Sequence, residues 1–280
     1  MVRIICDSAA DMEPWEYEKL NVECVPLWVS FDGQEYRENE DLSKELFYEK
    51  LKSSKSFPKT SQASPYEVEQ LLREAMDSGD ECVFLCLSSG FSGFCQSVCM
   101  VRDELEYKKC FVIDSLTGTG GLRLLVEYAA RLRDEGKSAA EIAQEIDRIK
   151  GRVIIYACMD TLEYLHRGGR LGGFAYRVGS MANVKPILFI SHEGKCEIPA
   201  KAMGMRRGMD YMAKRLQEHP HDESHPLYVM YTGDHSNGVK FYERLCGLGY
   251  NIPPERIINV GAAIGAHVGP GACGLCYIEK

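Results

Sequence analysis

No run of apolar residues in this 280-residue chain approaches the roughly 20 needed to span a bilayer as a helix. The longer runs, such as Val153 to Met159 and Pro186 to Ile190, fall far short, so no transmembrane helix is expected. The opening Met1 to Asp7 is too short an apolar stretch for a signal peptide, and Asp7 breaks it, which predicts a cytosolic protein. Internal repeats and low-complexity linkers are also lacking, so any domains should pack directly on one another. Composition removes further classes: 45% apolar and 26% charged residues exclude disorder, collagen-like sequence and a disulfide mini-scaffold.

Positive charge is scarce in the first half. Residues 1–150 carry 18 Lys+Arg against 29 Asp+Glu, while the remainder carries 15 against 12, giving balances of −11 and +3. The split suggests two domains with different surfaces, 1–151 and 152–280. It also argues against nucleic acid as the partner of the first half, because phosphate binding needs dense Lys and Arg.

Twelve cysteines are many, yet most lie within apolar runs, such as Cys82 and Cys86 around Val83-Phe84-Leu85. There a reduced thiol behaves as a small core hydrophobe, which implies a reducing compartment.

The first half alternates β-branched runs with amphipathic helices. Strands are expected at Arg3 to Cys6, at Val22 to Val29 (edge-like, because Pro26 interrupts it), at Cys82 to Leu87 and at Phe111 to Ile113. Helices are expected around Leu46 to Leu51, after the Ser64-Pro65-Tyr66-Glu67 capping box, from Phe94 to Leu105, from Leu122 to Ala129, and after Ser138-Ala139-Ala140-Glu141. This alternation predicts an α/β domain with a parallel sheet in three layers. After Gly151 the rhythm predicts an α+β domain with a mixed sheet: strands at 152–158, 186–191, 195–201, 226–232, 255–260 and 272–278, a hairpin at Glu193-Gly194, and helices near 205–218 and 237–247.

Ligands of open α/β sheets collect at the carboxyl ends of the strands. Here those ends are rich in acids and hydroxyls: Asp7-Ser8, Ser88 to Gly93, and Asp114-Ser115. Such residues also simply cap helices or make turns. Ser92-Gly93 is the sharpest case, since it stands where a strand hands over to a helix whose free N–H groups favour an anion. Gly90-Phe91-Ser92-Gly93-Phe94 only partly resembles a nucleophile elbow, because the last glycine is replaced by Phe94, and sequence places no base beside Ser92. A Ser92-dependent acyl hydrolase or transferase is therefore the alternative to a binding protein. Thr60 and Ser61, in a loop before the capping box, are spare hydroxyls.

Between Glu163 and Glu193 lie 29 residues without an acid, holding Arg167, Arg170, Arg177 and Lys185 among several glycines. They read either as a solvated basic loop or as guanidinium groups presented to a carboxylate or phosphate. Neither GxGxxG nor GxxxxGK[ST] occurs in this stretch, so no dinucleotide or P-loop site is supported. His267 is embedded in a glycine-dense turn from Gly261 to Ala272. No metal is expected: in a strand, Cys273 and Cys276 would point to opposite faces, and His219, His221 and His225 read as a polar surface turn before a chelating loop.

Taken together, these segments resemble the DegV family of bacterial fatty-acid-binding proteins. Cys6-Asp7-Ser8-Ala9-Ala10-Asp11 is similar to its DS(T/A)AD motif, Thr60-Ser61-Gln62-Ala63-Ser64-Pro65 to its TSQPSP loop, and Ser88 to Gly93 to its SSxLSG turn. Leu162 to Leu171 resembles its LEYLxKGGR segment, Lys185-Pro186-Ile187-Leu188 its KPIL, and Gly265 to Ala272 its GxHxGPGA signature. The motifs follow the family order over nearly the whole chain.

The resemblance implies two domains with a long-chain fatty acid buried at their junction, and no enzyme activity or cofactor of the chain's own. It places the carboxylate on Thr60 and Ser92, with Gly93 and Ser61 as helpers, and Arg170 and His267 near the mouth for head-group or partner contact. It also implies a fatty acid kinase as partner, which phosphorylates the bound acid. Ala63 stands where the family has Pro, and Phe94-Cys95 where it has Thr-Tyr, changes that bear on the pocket's fine shape. A third reading, a kinase substrate domain akin to the dihydroxyacetone kinase fold, would take a small polar ligand instead.

Overall fold

The computed structural model describes residues 1–171 and 183–280. In chain order the elements are β1 (Val2–Asp7), α1 (Pro14–Leu20), β2 (Val22–Val25), β3 (Trp28–Phe31), β4 (Gln34–Arg37), α2 (Lys44–Ser53), β5 (Lys59–Ser61), α3 (Pro65–Asp77), β6 (Glu81–Cys86), α4 (Phe94–Glu104), β7 (Cys110–Asp114), α5 (Thr119–Asp134) and α6 (Ala139–Lys150). There follow β8 (Val153–Cys158), α7 (Glu163–Arg167), β9 (Val184–Ile190), β10 (Cys196–Met203), α8 (Met205–Glu218), β11 (Tyr228–Tyr231), α9 (Ser236–Gly247), β12 (Ile257–Asn259), α10 (Ala262–Val268) and β13 (Cys273–Ile278). None of these helices is long and apolar enough to cross a membrane.

Four strands form an all-parallel sheet in the order β2-β1-β6-β7. Their residues are buried on both faces, as the unbroken runs Ile4-Ile5-Cys6 and Cys82 to Cys86 require, because helices cover a parallel sheet on each side. The expected caps are present: Ser64 Oγ accepts the Glu67 N–H, and the Glu67 carboxylate accepts the Ser64 N–H at 2.8 Å. Ser138 and Glu141 repeat the arrangement at the start of α6.

The second sheet is mixed, in the order β10-β9-β8-β13-β11-β12. Only β11 and β12 run parallel, with α9 as their crossover. The expected hairpin joins β9 to β10, turning at Gly194. Cys273 and Cys276 face different cores, as strand alternation predicts. Helix α5 contacts both β1 and β6 of the first sheet and β8 and β13 of the second, and one apolar core runs through both.

Two expectations are corrected. The glycine-dense turn at Gly261 to Ala272 opens as helix α10, because its alanines favour helix and the chain turns only at Gly269, with φ +74°. The strand at Val22 to Val29 is two strands, because Pro26, which has no N–H for a ladder, separates β2 in the parallel sheet from β3 in another. β3 centres a small antiparallel sheet, β4-β3-β5. Thr60 and Ser61 thus lie on a strand where a loop was expected, a pairing that three residues of alternation could not announce.

Candidate functional site

The small sheet decides where Thr60 points. Thr60 sits opposite Val29, and cross-strand partners project from the same face. Val29 is fully buried against Ala262 and Ala266 of α10, so Thr60 also faces that helix, where its hydroxyl lies 2.8 Å from His267 Nε2. Ser61, one residue on, projects to the opposite side and is exposed.

Ser92 is positioned by the turn at the end of β6. The N–H groups of Phe91 and Ser92 both donate to the Ser88 carbonyl, and Ser88 Oγ donates to the Gly194 carbonyl at 2.8 Å, pinning the turn to the β9–β10 hairpin tip. Carboxylates brace it from the neighbouring strands: Asp7 accepts the Leu87 N–H, and Asp114 the Ser89 N–H. Helix α4 starts from Gly93, and Ser92 Oγ accepts the Phe94 N–H at 3.2 Å. The serine therefore caps from one residue ahead of the expected position, leaving its proton free for a ligand. Among the described residues the Ser92 hydroxyl has no His, Asp or Glu hydrogen-bonded to it.

Arg170 joins these pieces. Its Nε donates to the Phe91 carbonyl at 3.0 Å and its Nη1 to the Gly168 carbonyl at 2.7 Å, so the guanidinium ties the Ser92 turn to the turn after α7. Gly168 is required there, because a Cβ would fall 2.1 Å from His267 Nδ1. Among the described residues, the buried His267 Nδ1 has no hydrogen-bond partner. Burial, and secondarily the positive charge of Arg170, push the imidazole down to about 4, so it is neutral at physiological pH.

These side chains converge on one pocket of about 1020 Å³ of empty space, its open mouth included. Thr60, Ser61, Gln62, Ser92, Arg170 and His267 all line it, and Gly93 adjoins through Gln62. Elsewhere its walls are chiefly apolar, with Leu87 from the first sheet, Ile155, Leu188 and Ile190 from the second, and Ile264 from α10. Sequence reasoning found the polar residues and missed Gln62, Thr119 and this wall, whose members are 177 positions apart at the extremes quoted (Leu87 to Ile264) and share no local signal.

The other strand-end hydroxyls do not line the pocket. Ser8 donates to Glu38 at 2.6 Å and accepts the Leu27 N–H, while Ser115 donates to the Thr117 carbonyl. Nor is the basic segment unopposed: Arg167 pairs with Glu163 at 2.9 Å, and Lys185 with Asp160. Arg177 lies outside the described residues. His219 pairs with Glu279 and His221 with the His225 carbonyl, and among the described residues no His, Cys, Asp and Glu group is arranged for a metal. All twelve cysteines are free thiols.

A parallel sheet and a mixed sheet with a largely apolar pocket lined from both define a mixed α/β protein. The chain belongs to the DegV family: the family model described as "Uncharacterised protein, DegV family" matches residues 1–280. A DegV domain-containing protein of Caldanaerobacter subterraneus subsp. tengcongensis is 32% identical, covering 100% of this chain and 99% of the relative. The solved structure of a Thermus thermophilus DegV family protein, described by its fatty acid binding, superposes with a TM-score of 0.88 at 26% identity, covering 100% of this chain and 99% of that one. A stearic-acid-binding protein from Eubacterium ventriosum gives 0.88 at 27% identity with the same coverage.

Proposed function

We propose that this protein binds a long-chain fatty acid, with the carboxylate at the Thr60–Ser92 end and the tail along the apolar wall. The observation that carries this is the pocket itself: hydroxyls, a guanidinium and a helix N-terminus at one end, hydrocarbon over the rest. Each buried methylene contributes about 0.8 kcal/mol, so the tail supplies the drive. The head group sets orientation, since a desolvated carboxylate is costly unless its oxygens are hydrogen-bonded. Thr60, Ser92 and the α4 N–H groups beside Gly93 satisfy them, with Ser61 at the rim and Arg170 and His267 closing the end. The lobes 1–151 and 152–280 then hold the ligand between them.

In this reading the protein is a cytosolic carrier without catalysis or cofactor of its own, and it presents the acid to a fatty acid kinase that forms the acyl phosphate. The support for binding is the pocket chemistry together with fatty-acid binding by related proteins. Denaturing extraction of purified protein, followed by mass spectrometry of the organic phase, tests it. Lipid absent from the extract, with no uptake of added stearate, overturns it. Incubating the loaded protein with a fatty acid kinase and ATP tests presentation separately, and no acyl phosphate would retire that role while leaving binding intact. Covalent labelling of Ser92 by a fluorophosphonate would favour the hydrolase alternative.

A further inference from the structure

Away from Thr60 and Ser92, Thr119, Tyr231 and Thr232 bring hydroxyl-bearing side chains to the pocket, and of the two threonines Thr232 already accepts the Ala272 N–H at 2.8 Å. Thr119 lines the pocket beside Met230, Val260, Ala263 and Ile264. It is β-branched yet held at φ +47°, a left-handed conformation that such residues avoid, so the backbone is strained to keep it there. Its one proton has only a thioether at normal hydrogen-bond geometry, Met230 Sδ at 3.6 Å. On its other side stands Asp11.

Asp11 is 1% exposed, and neither of its carboxyl oxygens has a hydrogen bond of ordinary geometry. The groups that approach it are the Thr119 hydroxyl, the Gly261 N–H and, through charge, Lys44 and Arg123. Glu38, also buried, stands close by: a Cβ on Gly261 would lie 2.5 Å from Glu38 Oε1 and 2.7 Å from Asp11 Oδ1. Lys44 is committed to the Asp11 carbonyl and to Glu13, and Glu38 accepts from Ser8 and the Ala263 N–H.

A carboxylate only accepts, so a Thr119 proton turned toward Asp11, or toward the thioether, leaves the hydroxyl lone pairs facing the pocket. Among the described residues nothing donates to them. An unmet acceptor in an apolar wall costs free energy until a donor arrives. A second carboxylate would meet the like charges of Asp11 and Glu38 behind this wall, which favours the head group beside Thr60, Ser92 and Arg170 instead.

We propose that Thr119, backed by Asp11, is a second polar contact in the pocket, selecting fatty acids that carry a hydroxyl on the tail. This rests on the fatty-acid reading above and narrows its ligand class. With the threonine's own proton held by Asp11, a tail hydroxyl satisfies the threonine oxygen, whereas a ketone at the same carbon has no proton to give and is disfavoured.

The test titrates delipidated protein with stearic acid, with hydroxystearic acids substituted at each of several mid-chain carbons, and with the matching ketostearic acids. At one position the hydroxy acid should bind roughly tenfold tighter than its ketone, about the discrimination of one hydrogen bond. Thr119→Val should abolish that ratio, and Thr119→Ser should retain it. Thr119→Gly, which also relieves the strained φ, gives the same loss if the valine variant folds poorly. Ratios near one at every position, or a ratio unchanged in the valine and glycine variants, overturn the proposal with fatty-acid binding intact. Failure of all three ligand classes to bind overturns both readings.

Discussion

The His267 imidazole and the Thr60 hydroxyl, 207 positions apart in sequence, meet at 2.8 Å across the mouth of the pocket. Because burial and Arg170 keep the ring neutral, one nitrogen serves the threonine while the other has no partner among the described residues. Thr60 is thereby oriented before a ligand arrives.

Removing either hydroxyl should weaken fatty-acid binding. Thr60→Val and Ser92→Ala each delete one hydrogen bond to an ionised carboxylate, worth about 1.5–3 kcal/mol, so affinity should fall roughly 10- to 100-fold. Calorimetric titration with stearate checks this. Wild-type affinity in the double variant would remove both residues from the site.

Arg170 holds the imidazole down by its charge, second to burial. Arg170→Gln should therefore raise the His267 titration midpoint from about 4 while leaving it below the ordinary 6.5, because the larger cause persists. NMR titration of the ring reads this directly; no movement would mean that the guanidinium and the ring do not interact.

Glu38 gives a pH signature in stability. Burial, and secondarily the Asp11 carboxylate, raise it from 4.5 to about 7, against the opposing bonds from Ser8 and Ala263. A group raised on folding contributes stability that is fully present below its unfolded value and lost as pH rises through its folded one. Relative to Glu38→Gln, the wild type should therefore be most favoured near pH 4.5 and progressively less so up to about pH 8. Denaturant melts of both across that range measure it, and a pH-independent difference would contradict the assignment.

Gly194 should not accept a side chain. It has φ +72°, and a Cβ would lie 2.1 Å from Ser88 Oγ. Gly194→Ala should cost about 1–3 kcal/mol or more through strain and overpacking, lowering Tm by several degrees. Because Ser88 anchors the Ser92 turn, stearate affinity should fall as well, whereas Gly136→Ala, also at positive φ but with open space around it, should leave binding unchanged.

Much of this protein was legible in one dimension. The runs at Ile4 to Cys6 and Cys82 to Cys86, the capping box at Ser64–Glu67 and the hairpin at Gly194 each rest on local chemistry, so periodicity and turn residues sufficed to place them. The motifs around Thr60, Ser92, Arg170 and His267 likewise named the polar end of the pocket in advance. Pro26 was read correctly as an interruption, but whether it bent one strand or ended it depended on where β3 could find partners.

The sequence by itself determined the elements and the inventory of polar groups, because helix caps, strand alternation and proline breaks act over a few residues. Only the tertiary structure decided which groups share a cavity. Ser8 and Ser115 carry the same hydroxyl as Ser92 at equivalent strand ends, yet they are spent on Glu38 and a backbone carbonyl. Ser92 lines the pocket because Ser88, Gly194 and Arg170 fix its turn from distant elements. Thr119, inconspicuous in sequence, lines the pocket from a left-handed backbone beside the buried Asp11, a neighbour 108 positions away.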